Sequence, residues 1–240
     1  AGGDRSATSV VVREVRDPMT EFDLEQTDRL LTTPRTVRKR LDLTREVPRD
    51  LIMECVRVST QAPAGGNYQK WRWVIVDDPD KKQVIADAYR RSYAPYIEKQ
   101  RAAVAKAGNQ ASSDPIIDSS THLADVLADV PVLAVPCALG SPADAGDLGG
   151  GQQGWWGSVI PAIWSYCLAA RSRGLGTAWT TLHLPYADEV GEALEIPGTV
   201  TQLACIPTAY HTGDDFKLAR RKPAEDVTYW NTWKQGDIES

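Results

Sequence analysis

Apolar positions along this chain switch between two spacings, one helical and one extended. Behind Pro48, the residues Leu51, Ile52, Cys55 and Val56 recur at i, i+1, i+4 and i+5, which is one face of a helix. Proline suits the first helical position and Asp50 suits the positive end, so a helix begins there. Pro63 disfavours helical geometry at Ala62 and stops it. Trp71–Val76 is dense in β-formers and reads as a strand, closed by Asp77-Asp78-Pro79. Lys81–Arg91 is helical in pattern, Pro95 interrupts it, and Glu98–Lys106 resumes it on a solvated face. Gly108–Pro115 reads as a polar loop long enough to be a lid. Val130–Leu139 is a second strand, and Pro131 and Pro136 hint that it lies at an edge. Ser141–Gly154 reads as loop, with four glycines from Gly149 to Gly154.

Ser158–Ala170 is the most informative block. Val159, Ile160, Ala162, Ile163, Trp164, Tyr166, Cys167, Leu168 and Ala169 leave almost no polar face, so this helix must be covered on all sides. It is either a central core helix or one buried jointly by two subunits. Arg171 and Arg173 close it at the negative end, with Gly174 as cap. Leu175–Leu182 and Gln202–Tyr210 read as two further strands, separated by a short helix, Pro185–Leu194. Glu21–Leu31 is a weaker helix, and the chain before it, residues 1–17, reads as a flexible arm. Helices interleaved with strands make the class α/β or α+β. There is no internal repeat.

Composition narrows the function. The 240 residues are 42% apolar and 25% charged, an ordinary globular mixture, and a net charge of −5 argues against a general nucleic-acid binder. The four cysteines are widely spaced and form neither a disulfide scaffold nor a zinc pattern, which suits a reduced, cytoplasmic protein. The opening arm has no apolar stretch of the roughly 7–15 residues that a secretory leader needs. The charge-free run Leu148–Ala170 is long enough for a membrane span, but its glycines and glutamines exclude that reading. No dinucleotide fingerprint, phosphate loop or nucleophile elbow is present. His122, His183 and His211 lie outside any metal motif and read as surface or hydrogen-bonded histidines, and the cysteines as small core residues. No metal is expected.

Three stretches carry candidate chemistry. Arg35, Arg38, Lys39 and Arg40 place four cations within six residues, which suits an anionic ligand or a planar heterocycle, although a solvated basic face fits as well. In Ala62-Pro-Ala-Gly-Gly-Asn-Tyr-Gln-Lys-Trp71 a ligand can approach the backbone at Ala64, Gly65 and Gly66, while Asn67 and Gln69 offer amides. An ordinary helix-to-strand turn reads the same way. Arg220-Arg221-Lys222-Pro223 is a second basic knot.

The order of these pieces resembles the FMN-dependent nitroreductase superfamily, including its iodotyrosine-dehalogenase-like branch. Pro34-Arg-Thr-Val-Arg38 is similar to the family's opening Arg-Arg-Ser-x-Arg, and Ala62–Trp71 to its Ala-Pro-Ser-x-x-Asn-x-Gln-Pro-Trp. Leu168–Thr177 resembles Leu-Ala-Ala-x-x-x-Gly-Leu-Gly-Thr, Trp179-Thr-Thr181 the flavin-edge segment of the dehalogenase-like branch, and Arg221-Lys-Pro223 closes the set. Pro34 stands where the family has its first Arg, Lys70 where it has Pro, and Thr36 and Ala64 where it has Ser.

The resemblance implies an α+β, three-layer α/β/α fold with a mostly antiparallel central sheet, built as an intertwined homodimer with FMN at the subunit interface. Residues 18–240 would form one domain whose segment 224–240, with Tyr229, Trp230 and Trp233, reaches the partner. It also implies roles. Arg35, Thr36 and Arg38 would hold the FMN phosphate and pyrimidine edge, with Arg220 and Arg221 on the phosphate. Pro63, Ala64, Asn67 and Gln69 would approach from the other subunit, and Trp179, Thr180 and Thr181 would line the reactive flavin nitrogen. Arg38, Thr180 and Thr181 are the catalytic candidates, and NADPH or NADH the electron donor. The implied activity is ping-pong reduction of nitroaromatic or quinone-like acceptors. The alternatives are a flavin-dependent reductive dehalogenase or ene-reductase of small aromatics, with Tyr93, Tyr96, Glu98 and Lys99 as possible lid residues, and a non-catalytic flavin store.

Overall fold

The computed structural model describes residues 22–107, 110–146 and 150–233, so the expected arm and the end of the expected partner-reaching segment lie outside the described residues. Helices α1 (Leu24–Thr32) and α2 (Arg49–Ser59) precede strand β1 (Trp71–Val76). Helices α3 (Pro79–Ala107) and α4 (Gln110–Val126) follow, then β2 (Val132–Leu139), α5 (Gly151–Ser172) and β3 (Leu175–Thr177). Helix α6 (Ala187–Ala193) leads to β4 (Val200–Gln202) and β5 (Ile206–Tyr210).

The five strands form one antiparallel sheet in the order β1-β2-β5-β3, with β4 also paired to β2. Strand β2 explains the layering. It is buried on both faces, and its side chains alternate between two cores. Val132, Ala134 and Ala138 join Ile52 and Cys55 of α2 and Val159, Ile163 and Tyr166 of α5. Leu133, Val135 and Cys137 join Ile85 and Tyr89 of α3, Leu123 of α4 and Val190 of α6. A strand covered on both faces reads as a continuous apolar run, as Val132–Leu139 does. The result is the three-layer α/β/α arrangement, with α2 and α5 on one face and α3, α4 and α6 on the other.

Several elements differ from the sequence reading. Strand β2 is interior, not at an edge: Pro136 has no N–H to lose there, and its carbonyl accepts from the Leu203 N–H at 2.9 Å. The single strand expected over Gln202–Tyr210 is divided. Ala134 pairs with Ile206 and Cys137 with Gln202, so Leu203, Ala204 and Cys205 oppose only Val135 and Pro136. That extra residue is a bulge. Strand β3 ends at Thr177 rather than Leu182, because the Ala178 N–H donates to Pro207 O and proline has no N–H to return. Farther on, Thr180 bridges Cys205 at the bulge. Bulges recur beside functional sites because they re-aim side chains.

Helix α3 runs unbroken through Pro95, since Tyr89 and Tyr93 before it and Ile97 after it are buried in the same core. The expected lid loop is helical from Gln110: Ile117, Leu123, Ala124 and Leu127 anchor α4, and extension upstream gains a hydrogen bond per residue. Helix α5 likewise takes in Gly151–Gly154, expected as loop. All four cysteines are buried and unpaired, and burial pushes the Cys55 thiol up to about 11 and that of Cys205 to about 12, as expected for core residues. His211 is hydrogen-bonded to Arg171 and to the carbonyl of Gly213, as a structural histidine should be. His183 is not. It is 0% exposed, and neither ring nitrogen has a hydrogen-bond partner among the described residues.

Candidate active site

Helix α3 presents Tyr89, Tyr93 and Tyr96 at i, i+4 and i+7, a spacing that puts all three on one face. Helix α4 presents Ile116, Ser120 and Leu123 at the same spacing. Between these two faces and the stretch Trp179–Leu182 lies a cleft of about 220 Å³, with Arg38 as the one charged residue in its described lining. The tyrosines are held in place. The Tyr93 hydroxyl lies 2.9 Å from Ser120 Oγ and 2.8 Å from Thr121 Oγ1, and its ring stacks on Tyr89 at 6.0 Å.

Arg38 reaches the cleft because Gly176 lets its loop approach β3. The Val37 N–H donates to Thr177 O at 2.9 Å, and a Cβ at Gly176 would come within 2.9 Å of Val37 Cγ1. The four-cation cluster then separates into two pairs. Lys39 forms an ion pair with Asp118, and Arg40 with Asp215, while Arg40 Nε also donates to Thr212 O at 2.7 Å. Arg35 and Arg38 have no acidic partner among the described residues. Arg38 Nη1 donates to Ser119 Oγ at 3.2 Å, and Arg35 donates to the carbonyls of Pro34 at 2.7 Å and of Lys217.

That last contact ties the first basic stretch to the segment bearing the second. Phe216 is gripped by two guanidinium groups, Arg40 at 4.2 Å and Arg171 at 4.1 Å from its ring centre, and by His211 edge-on at 4.9 Å. Arg220 and Arg221 follow directly, exposed and without acidic partners among the described residues; Arg221 Nη1 donates only to Arg220 O. Thr36, next in sequence to Arg35, is exposed and bridged to Thr177.

The two threonines differ in what they can give. The Thr180 N–H donates to Cys205 O at 3.0 Å, and the Cys205 N–H returns to Thr180 O at 2.8 Å, so the Thr180 backbone is spent on the bulge. Thr180 and Tyr89 both line the cleft. Thr181 is exposed, and among the described residues its N–H has no acceptor. Burial raises the Tyr89 phenol above its ordinary range, so it stays protonated at neutral pH.

The remaining sequence candidates are not brought to this cleft. Pro63, Ala64, Asn67 and Gln69 belong to a turn on the α5 side of the sheet, beside a second cleft of about 390 Å³ lined by Gly65, Gly66, Tyr68, Gln69, Trp155 and Ser158. There the Gly65 N–H donates to Ser158 Oγ at 3.0 Å, and Gln69 Nε2 to Asn67 Oδ1 at 2.9 Å. Asn67 and Gln69 hold φ of 55° and 47°, left-handed values that Gln adopts rarely, so the turn stores strain. Tyr89 and Ser120 were not legible as site residues. The Tyr89/Tyr93/Tyr96 spacing was the available signal. No group of three or more metal-ligating side chains occurs among the described residues, and no helix among them is long and apolar enough to cross a membrane.

Residues 31–210 match the model of the Nitroreductase family. The chain is 33% identical over 144 residues to 5,6-dimethylbenzimidazole synthase of Rhodospirillum rubrum, a match spanning 57% of this chain and 59% of that protein's length. Among solved structures it is similar to oxidized iodotyrosine deiodinase bound to FMN and 3-iodo-L-tyrosine, with a TM-score of 0.65 at 24% identity over 85% of this chain and 98% of that one. A BluB-like flavoprotein from Clostridium difficile 630 superposes with a TM-score of 0.63 at 18% identity, covering 88% of this chain and 100% of the other. A variant of an FMN and NADPH-dependent nitroreductase from sphigopyxis sp. strain HMH does so at 0.62 and 18%, covering 86% and 99%. At these identities the structural likeness speaks to fold.

Proposed function

The chain belongs to the nitroreductase family, and from that premise we propose that it is an FMN-dependent NAD(P)H oxidoreductase, working as a homodimer and reducing nitroaromatic or quinone-like acceptors in ping-pong fashion. The observation that carries this reading is the set of guanidinium groups. Lys39 and Arg40 are neutralised by acids, whereas Arg35, Arg38, Arg220 and Arg221 are left without one among the described residues, although two of them come from each end of the chain. A mononucleotide phosphate and an electron-rich heterocycle edge suit such donors.

In this reading Arg35, Arg220 and Arg221 take the phosphate, with Thr36 beside them. Arg40 does not stand in for the missing first Arg at Pro34, because Asp215 and Thr212 already occupy it. Arg38 takes the pyrimidine edge. Trp179 flanks the ring, and Thr181, with an open N–H and hydroxyl, and Thr180, through its hydroxyl, face the reactive nitrogen. Bound FMN would supply the hydride chemistry, accepting from a nicotinamide and passing it to the aromatic acceptor. The tyrosines of α3 would hold that acceptor's ring and exclude water.

Helix α5 supports a second subunit. Its inner side is buried, but Trp156, Ile160 and Trp164, at i, i+4 and i+8, are 36%, 42% and 46% exposed. Such an apolar stripe calls for cover. Trp230, 85% exposed, and Trp233 offer further anchors in the segment from Ala224 onward. Pairing two copies would also carry the turn with Pro63, Ala64, Asn67 and Gln69 toward the other copy's flavin, which is why those residues need not reach the cleft of their own chain. Trp164→Glu is expected to raise the dimer dissociation constant by about 30-fold or more. Sedimentation should then show monomer together with loss of FMN, while a dimer of unchanged stability would count against the interface.

The visible spectrum of the purified protein tests the whole proposal. A yellow protein that bleaches under anaerobic NADPH or NADH fits it, and failure to bleach favours a flavin store. The aromatic wall of Tyr93 and Tyr96 favours a second reading, a reductive dehalogenase or ene-reductase. If the reduced protein dehalogenates a halophenol faster than it reduces a nitroaromatic, that reading takes precedence. An assay for 5,6-dimethylbenzimidazole tests the activity named for the Rhodospirillum relative.

A further inference from the structure

The first basic stretch and the C-terminal segment meet, and one aromatic ring holds the join. Backbone pairing carries the C-terminal segment as far as Thr212: the Asp42 N–H donates to Tyr210 O at 2.7 Å, and the Thr212 N–H to Arg40 O at 2.9 Å. Beyond it, residues 213–223 form neither helix nor strand, and no described backbone hydrogen bond ties them to another segment. Side chains hold them instead. Asp215 pairs with Arg40 at 3.0 Å, the Lys217 carbonyl accepts from Arg35, and Phe216 lies between these two residues in sequence. Its ring centre is 4.2 Å from the Arg40 guanidinium and 4.1 Å from that of Arg171.

Arg171, in the last turn of α5, has no acidic partner among the described residues; its side chain meets the Phe216 ring and His211. A guanidinium can only donate, so Arg171 Nη1 donates to His211 Nε2 at 2.6 Å. The imidazole proton therefore sits on Nδ1, which donates to Gly213 O at 2.8 Å. His211 in turn meets Phe216 edge-on at 4.9 Å. Gly213 holds a φ of 68°, and a Cβ there would collide with the Arg40 guanidinium, so glycine lets the segment pass this close. The attraction of one ring face for two guanidinium groups then fixes Phe216. A chain extends at most about 3.6 Å per residue, so Arg220, three residues past Lys217, stays within about 11 Å of chain from the Arg35 contact. We propose that Phe216 is a positioning residue for an anionic ligand: clamped by Arg40 and Arg171, it sets the register of residues 212–221 so that Arg220 and Arg221 converge with Arg35 on one phosphate. This rests on the flavin reading above, in which that phosphate is the tail of FMN. Phe216 touches no ligand itself; it aims the arginines that do.

Aiming a phosphate grip has a signature that packing alone lacks. It acts on FMN and not on riboflavin, which shares the ring system and has no phosphate. Phe216 is half-buried against the core, so Phe216→Leu keeps its apolar bulk and loses only the ring face. That variant, Phe216→Tyr and the unaltered protein are freed of flavin, and FMN and riboflavin are each titrated by fluorescence quenching. The unaltered protein should prefer FMN. Phe216→Leu should weaken FMN binding about 10- to 150-fold, the weight of a charge-assisted hydrogen bond, and riboflavin binding less than about 2-fold. Phe216→Tyr keeps the ring face and should keep the FMN affinity. In a protein already carrying Arg220→Gln and Arg221→Gln, adding Phe216→Leu should change FMN affinity less than about 2-fold. Equal losses of both flavins, an unchanged FMN affinity in Phe216→Leu, a Phe216→Tyr protein as impaired as Phe216→Leu, or a loss that persists in full without the two arginines would overturn the inference while the flavin reading stands. An unaltered protein that binds FMN and riboflavin alike has no phosphate grip to aim, and the inference again falls alone. If it takes up neither flavin, the flavin reading falls and this inference with it.

Discussion

Arg38→Ala is expected to retain FMN and to oxidise NAD(P)H about 100- to 1,000-fold more slowly, the usual cost of removing one preorganised electrostatic donor. Arg38 is the one charged residue in the described lining of the cleft, and no acid neutralises it among the described residues. Its single described side-chain contact, to Ser119 Oγ, is neutral. A fixed cation in a partly enclosed site stabilises negative charge on the adjacent heterocycle edge far more than a solvated one would. The phosphate contacts proposed for Arg35, Arg220 and Arg221 are untouched by the substitution, so binding should survive while the flavin becomes harder to reduce. Stopped-flow bleaching with NADPH or NADH separates the two effects. Arg38→Lys should restore part of the rate, since it keeps the charge and loses the planar fork. Lys39→Ala is the control, because Lys39 is exposed and spent on Asp118. Normal bleaching by an Arg38→Ala protein that still carries FMN would remove Arg38 from the chemistry.

The second large effect concerns stability against acid. Burial lowers the His183 imidazole to about 4 from an ordinary value of 6.5, and no hydrogen bond offsets that. The unfolded chain therefore takes up a proton near pH 6.5, while the folded chain does not until about pH 4. Between those values the unfolded state carries the extra proton, so stability is full above the upper value and is lost as pH falls toward the lower one. At pH 4.5 the loss from this one group amounts to about 2.5 kcal/mol. His183→Leu, close in volume and without polar atoms, should remove that dependence. Urea unfolding of flavin-free protein should show the variant stabler by about 1 kcal/mol at pH 7, from relief of an unsatisfied buried polar group. Its advantage should widen by about 2.5 kcal/mol by pH 4.5. Carboxylates titrate equally in both proteins and cancel in the difference. A gap between the two proteins that does not change with pH would mean that the imidazole has a partner or is hydrated.

His183 also illustrates what sequence reading misses. It stands alone between Leu182 and Leu184, and nothing local distinguishes a surface histidine from one sealed in the core; the fold closes over it. Pro136 taught the same lesson in reverse. Its missing N–H suggested an edge strand, but the vacancy is accommodated by a bulge on the neighbouring strand, a feature of pairing between segments about 70 residues apart in sequence. The helical start of α4 was hidden because Gly108–Pro115 is polar, and the residues that anchor it come afterward.

By itself the sequence determined the elements with strong local signals: the helix after Pro48, the strand Trp71–Val76, a strand through Val132–Leu139, though not its interior place, and the apolar body of α5. Each was legible because burial imposes a period on neighbouring residues. It also supplied the ordered motifs around Arg38, Asn67, Thr180 and Arg221. Only the tertiary structure decided which cations have an acidic partner among the described residues, because Asp118 and Asp215 pair with Lys39 and Arg40 from far along the chain. It alone separated the Asn67 turn from the Arg38 cleft, spent the Thr180 backbone on Cys205 and brought Tyr89 into the cleft wall. Those outcomes depend on contacts between distant segments, and no periodicity within a segment encodes them.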